Sequence, residues 1–158
     1  MPVSDSIGRP GFPIHEPYAL LAERNFERLL VSNLSGKSVM SFAVGASLER
    51  EWVSPVLGLP YFAAWLAADR VLVPLQTPSG AAVLDAASGE LLGEASYRDG
   101  ECLNPHEAVA SSDGRVFLVC EGDHRANGAI VELDPESLAV IRRVEVGVFP
   151  DRLLFRDP

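Results

Sequence analysis

Lysine is almost missing from this chain: of 158 residues only Lys37 is one, and 13 basic side chains stand against 22 acidic ones, a formal charge of -9. A protein that reads nucleic acid needs a positive face for phosphate, so that class of partner is set aside. Long apolar runs are missing too. The longest, Tyr61 to Ala68, stops at Asp69, well short of the roughly 20 residues a membrane-spanning helix requires. The opening stretch MPVSDSIGRPGFP has no basic patch followed by an apolar segment, so no secretory leader is read there and the chain as written is expected inside the cell. Cysteine is scarce: Cys102 and Cys120 are too few for a disulfide scaffold and enough for one bridge. No G-x-S-x-G elbow, phosphate loop or dinucleotide fingerprint occurs. What is left is ordinary for one soluble domain, 47% hydrophobic and 22% charged, long enough to fold on its core without a metal or disulfide.

What is present is a repeat. An arginine opens an apolar run at Arg28 (RLLVSN), Arg70 (RVLVPL) and Arg115 (RVFLVC), at spacings of 42 and 45. Prolines at Pro17, Pro60, Pro105 and Pro150 step by 43, 45 and 45. Gly36, Gly80 and Gly128 each precede a further apolar run in the same register. Self-similarity at such a period points to a repeat architecture. Each unit divides into four short segments, clearest at 107–111, 115–120, 129–134 and 139–146, with Asp113-Gly114 predicting a two-residue hairpin turn between the first two. Four-stranded antiparallel units at this period are propeller blades. The expected fold is therefore an all-β β-propeller of three four-stranded blades plus one extra strand: a leading segment 1–16, blades at 17–59, 60–104 and 105–149, and 150–158 as the first strand of a next blade. Two stretches argue the other way. YALLAERNFERLL (18–30) and YFAAWLAADRVL (61–72) are rich in Ala, Leu and Glu and suit amphipathic helices. Their third counterpart, EAVASSDGRVFLV, is broken by Asp-Gly, so all three are read as hairpins.

The unit from Asn104 to Asp151 resembles the YVTN-type β-propeller repeat of surface-layer and periplasmic proteins. The features that carry the resemblance are Pro105, the Asp113-Gly114-Arg115 turn, the strand Val116 to Val119, the segment Gly128 to Asp134, and Gly147 with Pro150. Units 60–104 and 17–59 match less fully. The resemblance implies a seven-bladed ring, of which this chain holds an arc, and a periplasmic or extracellular setting. It also admits haem-bearing nitrite reductases and ring-opening lyases as relatives. An open arc would leave two apolar blade faces in water. That predicts association with a second copy of the chain or with missing blades, the leading VSDSIGRPGFP and the segment Arg152 to Phe155 supplying strands in trans.

The histidines fall at one end of their units: His15 before a first strand, His106 at the start of one, His124 after a second strand. With a two-residue turn at Asp113-Gly114, His106 faces Glu121 and Glu107 faces Cys120. Cys102, His106, Glu107, Cys120, Glu121, Asp123 and His124 then gather on one rim, the mouth of the axial channel. Cys102-x3-His106 and Cys120-x3-His124 offer two thiolates and two imidazoles, a donor set suited to Zn²⁺. The alternatives are a Cys102–Cys120 disulfide in an oxidising compartment, or free thiols. His106 can equally be a histidine that hydrogen-bonds a neighbouring loop and fixes the blade. His106 with Glu121 is the better acid/base couple, because adjacent residues on a strand point to opposite faces. Asp123 with Glu121 lacks the dense oxygen ladder of a calcium site. Trp52 and Trp65 are assigned to packing between blades. The expected function is non-catalytic, a rim that binds a small molecule or protein through His15, His106, Glu107, Glu121, Asp123 and His124. The alternatives are a metal- or haem-dependent propeller enzyme, or a remnant without independent activity.

Overall fold

A computed structural model describes residues 16–155. Among these residues all regular structure is strand, arranged as three four-stranded antiparallel sheets in which each strand pairs with its neighbours in sequence. The first sheet is β1 (Pro17–Ala22), β2 (Arg28–Asn33), β3 (Ser38–Val44) and β4 (Leu48–Pro55). The second is β5 (Ala64–Ala67), β6 (Arg70–Leu75), β7 (Gly80–Asp85) and β8 (Leu91–Ser96). The third is β9 (Pro105–Ala110), β10 (Val116–Cys120), β11 (Asn127–Leu133) and β12 (Val140–Val148). The sheets are successive blades of a propeller arc that does not close into a ring. No helix among the described residues is long and apolar enough to cross a membrane.

Both helix-like stretches are hairpins. Leu20 lies opposite Val31 and Ala22 opposite Leu29, and in the next blade Trp65 lies opposite Val71. The second strand of each blade is buried on both faces, so RLLVSN, RVLVPL and VFLVC read as nearly continuous apolar runs instead of alternating ones. Burial of those runs between sheets outweighs the helix propensity of Ala, Leu and Glu. The fourth strands are mostly exposed and carry charges, for example Arg142, Arg143 and Glu145 on β12, which discourages pairing at the outer edge.

The core lies between blades. Leu30 and Val39 of the first blade pack with Val71, Val73, Ala82 and Leu84 of the second. Leu72, Ala81 and Val83 on the opposite face of the second pack with Leu118, Val131 and Leu133 of the third. Both tryptophans join blades as expected: Trp52 Nε1 donates to Ala86 O at 3.1 Å and Trp65 Nε1 to Ala22 O at 3.1 Å. The repeated arginines each meet a carboxylate, Arg28 with Glu51, Arg70 with Glu136 and Arg115 with Glu132.

Two expectations need correction. Arg152 to Phe155 is not a strand; with no fourth blade to pair with, it lies along the third, Leu153 N donating to Glu107 and Phe155 packing on Phe117. On the far side of the first blade Val31, Met40 and Phe42 form a separate buried cluster while Leu20 and Val53 beside them stay exposed, and on the far side of the third Phe117 and Val119 are buried while Leu154 is exposed. The Asp-Gly turn is also longer than predicted. Ser111 N donates to Arg115 O and Gly114 N to Ser111 O, and of the turn residues only Gly114 has positive φ, at 85°. This is a three-residue loop with a left-handed glycine, and it shifts the pairing by one so that Glu107 faces Val119, not Cys120.

Candidate functional site

A one-residue slip would turn His106 away from Glu121. It does not, because a bulge follows at once: β9 pairs Glu107 with Val119 and then Pro105 with Cys120, leaving His106 without a ladder partner. Bulges re-aim side chains, and this one brings His106 Nε2 to 3.4 Å from Glu121 Oε1. The expected couple therefore forms, by a route the turn did not predict.

Around that pair the four repeat prolines acquire a second meaning. The residue after each is Tyr18, Tyr61, His106 and Asp151, and the fold sets them side by side along the mouth of the arc. Tyr18 and Tyr61 meet with ring centroids 4.8 Å apart, Tyr61 and His106 at 4.7 Å, and His106 Nδ1 is 3.3 Å from Asp151 Oδ1. The backbone repeats with them: the N–H groups of Leu34, Gln76 and Glu121 donate to the carbonyls of Glu16, Leu59 and Asn104, the residues just before three of those prolines. Gln76 and Glu121 are thus equivalent positions on adjacent blades, and Gln76 Nε2 donates to Glu121 Oε2 at 2.8 Å. Phe62 adds a fourth aromatic ring, 5.2 Å from His106.

His106 and Glu121 are 3% and 4% exposed at their side chains, in contrast to His124 at 46% and Asp151 at 59%. His124 lies within 2.9 Å of Glu121 Oε2, with its ring against Phe149 and its backbone left-handed at φ 65°. Burial, then the nearby Tyr18 and Glu121, holds the Tyr61 phenol above its ordinary value. The mouth thus combines an apolar aromatic wall with two carboxylates and two imidazoles.

Other predicted members are placed elsewhere. Glu107 is buried and directed at the last segment, where it accepts from Leu153 N at 2.7 Å and pairs with Arg152 at 3.3 Å. Asp123 spends its carboxylate on the N–H groups of Ala126 and Arg125, which hold it below the usual carboxylate range. Cys102 and Cys120 are joined as a disulfide, both 1% exposed. Of the alternatives the sequence left open the bridge is the one formed, and it removes both sulfurs from the zinc set, since a disulfide sulfur is not a thiolate ligand. His15 lies outside the described residues. Tyr18, Tyr61, Phe62, Gln76 and Asp151 were not singled out from the sequence; the register of the prolines held the signal for three of them.

At the opposite mouth, the tips of the first hairpins of all three blades frame a groove of about 560 Å³ lined by Arg24, Trp65, Leu66, Ala110 and Ser112. It was not anticipated either.

The fold places the chain among β-propellers. It is similar to Kuenenia stuttgartiensis hydrazine synthase (TM-score 0.70, 15% identity, covering 84% of this chain and 38% of that one). It is also similar to a putative 6-phosphogluconolactonase from Bacteroides fragilis (TM-score 0.66, 12% identity, 84% and 39%) and to a protein of unknown function from Bacteroides caccae (TM-score 0.61, 19% identity, 82% and 46%). At these identities the likeness shows the fold alone, and the chain spans less than half the length of each. No family model and no curated protein matches the sequence, so the propeller is established and membership of the YVTN-type family is not.

Proposed function

We propose that the chain is a non-catalytic β-propeller binding module that takes a positively charged ligand at the mouth built by Tyr18, Tyr61, His106 and Glu121. One observation carries the reading: residues at the same place in successive repeats converge on one point, where two nearly buried polar side chains sit within an aromatic wall. Convergent polar groups in an apolar recess mark binding sites. Aromatic faces, the carboxylates of Glu121 and Asp151 and a formal charge of -9 all favour a cation, whether a small molecule or a basic protein segment.

Two of the neighbours bear enzyme names, which keeps a propeller enzyme as the rival reading. A covalently attached haem does not suit this chain, whose two cysteines are bonded to each other and form no Cys-x-x-Cys-His stretch. The buried disulfide supports an oxidising compartment. Leu154, 88% exposed, and the half-covered Phe155 support association of the third blade's outer side with a second copy or with further blades.

The test is a titration of isotope-labelled protein with organic ammonium ions, basic peptides and divalent metal chlorides, followed by amide shifts. Shifts centred on Tyr61, His106, Glu121 and His124, and lost in Glu121→Gln, are expected. Shifts centred on Arg24 and Ser112, or turnover of a lactone or redox substrate abolished by His106→Ala, would overturn the proposal.

A further inference from the structure

We propose that the mouth holds one divalent ion of the zinc class on His106, Glu121 and Asp151. This rests on the reading of the mouth as a site for positive charge and narrows that charge to a metal ion. One ligand atom from each of the three residues lies within 4.8 Å of the others.

Charge is the first argument. Glu121 is a buried carboxylate, and among the described residues no arginine or lysine pairs with it or with Asp151. Glu107, the residue after His106, receives Arg152. The carboxylates of Glu121 and Asp151 thus stand on either side of His106 with no permanently charged partner of their own, which leaves both open to a cation.

The second argument is the division of labour between atoms. Gln76 Nε2 and His124 Nε2 both hold Glu121 Oε2, at 2.8 and 2.9 Å, while Oε1 faces His106 Nε2. His106 Nδ1 lies 3.2 Å from the backbone oxygen of Asp151. Metal-bound carboxylates and histidines are oriented in this way, one atom kept for the ion and the other fixed by an outer partner. An ion seated between Nε2 and Oε1 takes the exposed carboxylate of Asp151 as its mobile third ligand, which swings toward it from its present place 3.3 Å from Nδ1. Donors about 2.0–2.2 Å from an ion stand at most about 4.4 Å apart, so a set spread over up to 4.8 Å draws in when the ion binds. One imidazole with two carboxylates favours zinc over calcium or magnesium, which prefer oxygen alone. Three protein ligands leave a position open for water or a ligand oxygen.

The experiment strips the full chain with chelator, removes the chelator, and titrates ZnCl₂ by calorimetry, with metal content measured after gel filtration. One zinc per chain is expected, weakened at least about 10–100-fold in Glu121→Gln and in Asp151→Asn, since loss of a ligand costs no less than loss of a ligand's outer partner, and unchanged in Glu145→Gln, a remote exposed carboxylate on β12. Asp151 is exposed, so its variant tests the site even if His106→Ala or Glu121→Gln fails to fold. Cobalt(II) in place of zinc gives an independent readout, visible bands that Asp151→Asn alters. Absence of stoichiometric zinc, a preference for CaCl₂, or affinity indifferent to Asp151→Asn overturns the proposal. If organic cations still move the mouth resonances while zinc does not bind, the metal is refuted and the binding module stands; if no cation binds, both fall.

Discussion

Removing the Cys102–Cys120 bridge is the perturbation with the most definite magnitude. The bridge closes a sequence separation of 18 residues, tying the segment between β8 and β9 to the end of β10, and both half-cystines lie in the core shared by the second and third blades. In the chain-entropy account a loop of this size restricts the unfolded chain by about 11 cal/mol/K, or about 3 kcal/mol at 25 °C. With an unfolding entropy near 2.1 cal/mol/K per residue, that corresponds to roughly 10 °C in Tm for a chain of this length. The Cys102→Ser/Cys120→Ser variant adds the burial of two hydroxyls at a site that holds sulfur, so Cys→Ala at both positions is the cleaner comparison.

The assay is urea unfolding of wild type and the double alanine variant, with thermal melts of wild type before and after reduction under denaturing conditions. Because both half-cystines are 1% exposed, a mild reductant should leave the native protein oxidised until it opens, and thiol titration of the native state should find no free thiol. A stability loss below about 1 kcal/mol, or two titratable thiols in protein never exposed to reductant, refutes the reasoning.

Gly89 sits at φ 75° with Trp52 against it, and a Cβ there would stand 2.6 Å from the indole Cε3. Gly89→Ala should therefore cost at least about 2 kcal/mol, while Gly93→Ala, which meets no atom within 4 Å, should stay within about 0.5 kcal/mol of wild type in urea titrations. Tyr97→Phe removes the hydroxyl that donates to Leu138 O at 3.0 Å in the buried seam between the second and third blades; a loss of about 1 kcal/mol is expected in the same assay. Stability should fall in acid. Ser88 beside Asp85, the Ser137 N–H beside Asp134, Arg28 beside Glu51 and Arg115 beside Glu132 hold these carboxyls below their ordinary values. A depressed group stabilises the fold above its unfolded value and loses that contribution as pH drops through its folded one, so the urea midpoint should be level near neutrality and decline from about pH 4.5 downward. Glu132→Gln should flatten part of that decline.

The repeat was legible because it is written by residues at fixed places in every blade: the arginine where the second strand opens, the glycine where the third begins, the proline at the start of the unit. These landmarks were enough to overrule helix propensity at 18–30 and 61–72. The turn after Ala110 was misread because Asp-Gly serves both a two-residue loop and a three-residue one. The choice was made by Ser111, whose hydroxyl accepts from Arg115 N and whose backbone closes the longer ring. Asp123 looked like a ligand for a related reason: in sequence, an aspartate that caps its own turn is indistinguishable from one with a free carboxylate. Glu107 falls on the rim in the sequence because nothing there shows the path of Arg152 and Leu153, which claim its carboxylate.

The site occupies the one place in each unit where side-chain identity is least tied to the ladder. Ahead of three of the four repeat prolines stands a non-glycine residue with positive φ, Glu16, Asn104 and Phe149, and two of their carbonyls, at Glu16 and Asn104, accept an N–H from the residue just after the second strand. The proline and its predecessor thus fix the chain's direction as it turns into the mouth. The following side chain then projects toward its counterparts in the neighbouring units, and at His106 a bulge frees it from cross-strand pairing altogether. Tyr, Tyr, His and Asp can follow one another there without disturbing a backbone pattern that recurs every 43 to 45 residues. A fold built by repetition acquires an asymmetric site in this way, because its periodic constraints bear on the proline and its predecessor, whereas its chemistry resides one residue further on.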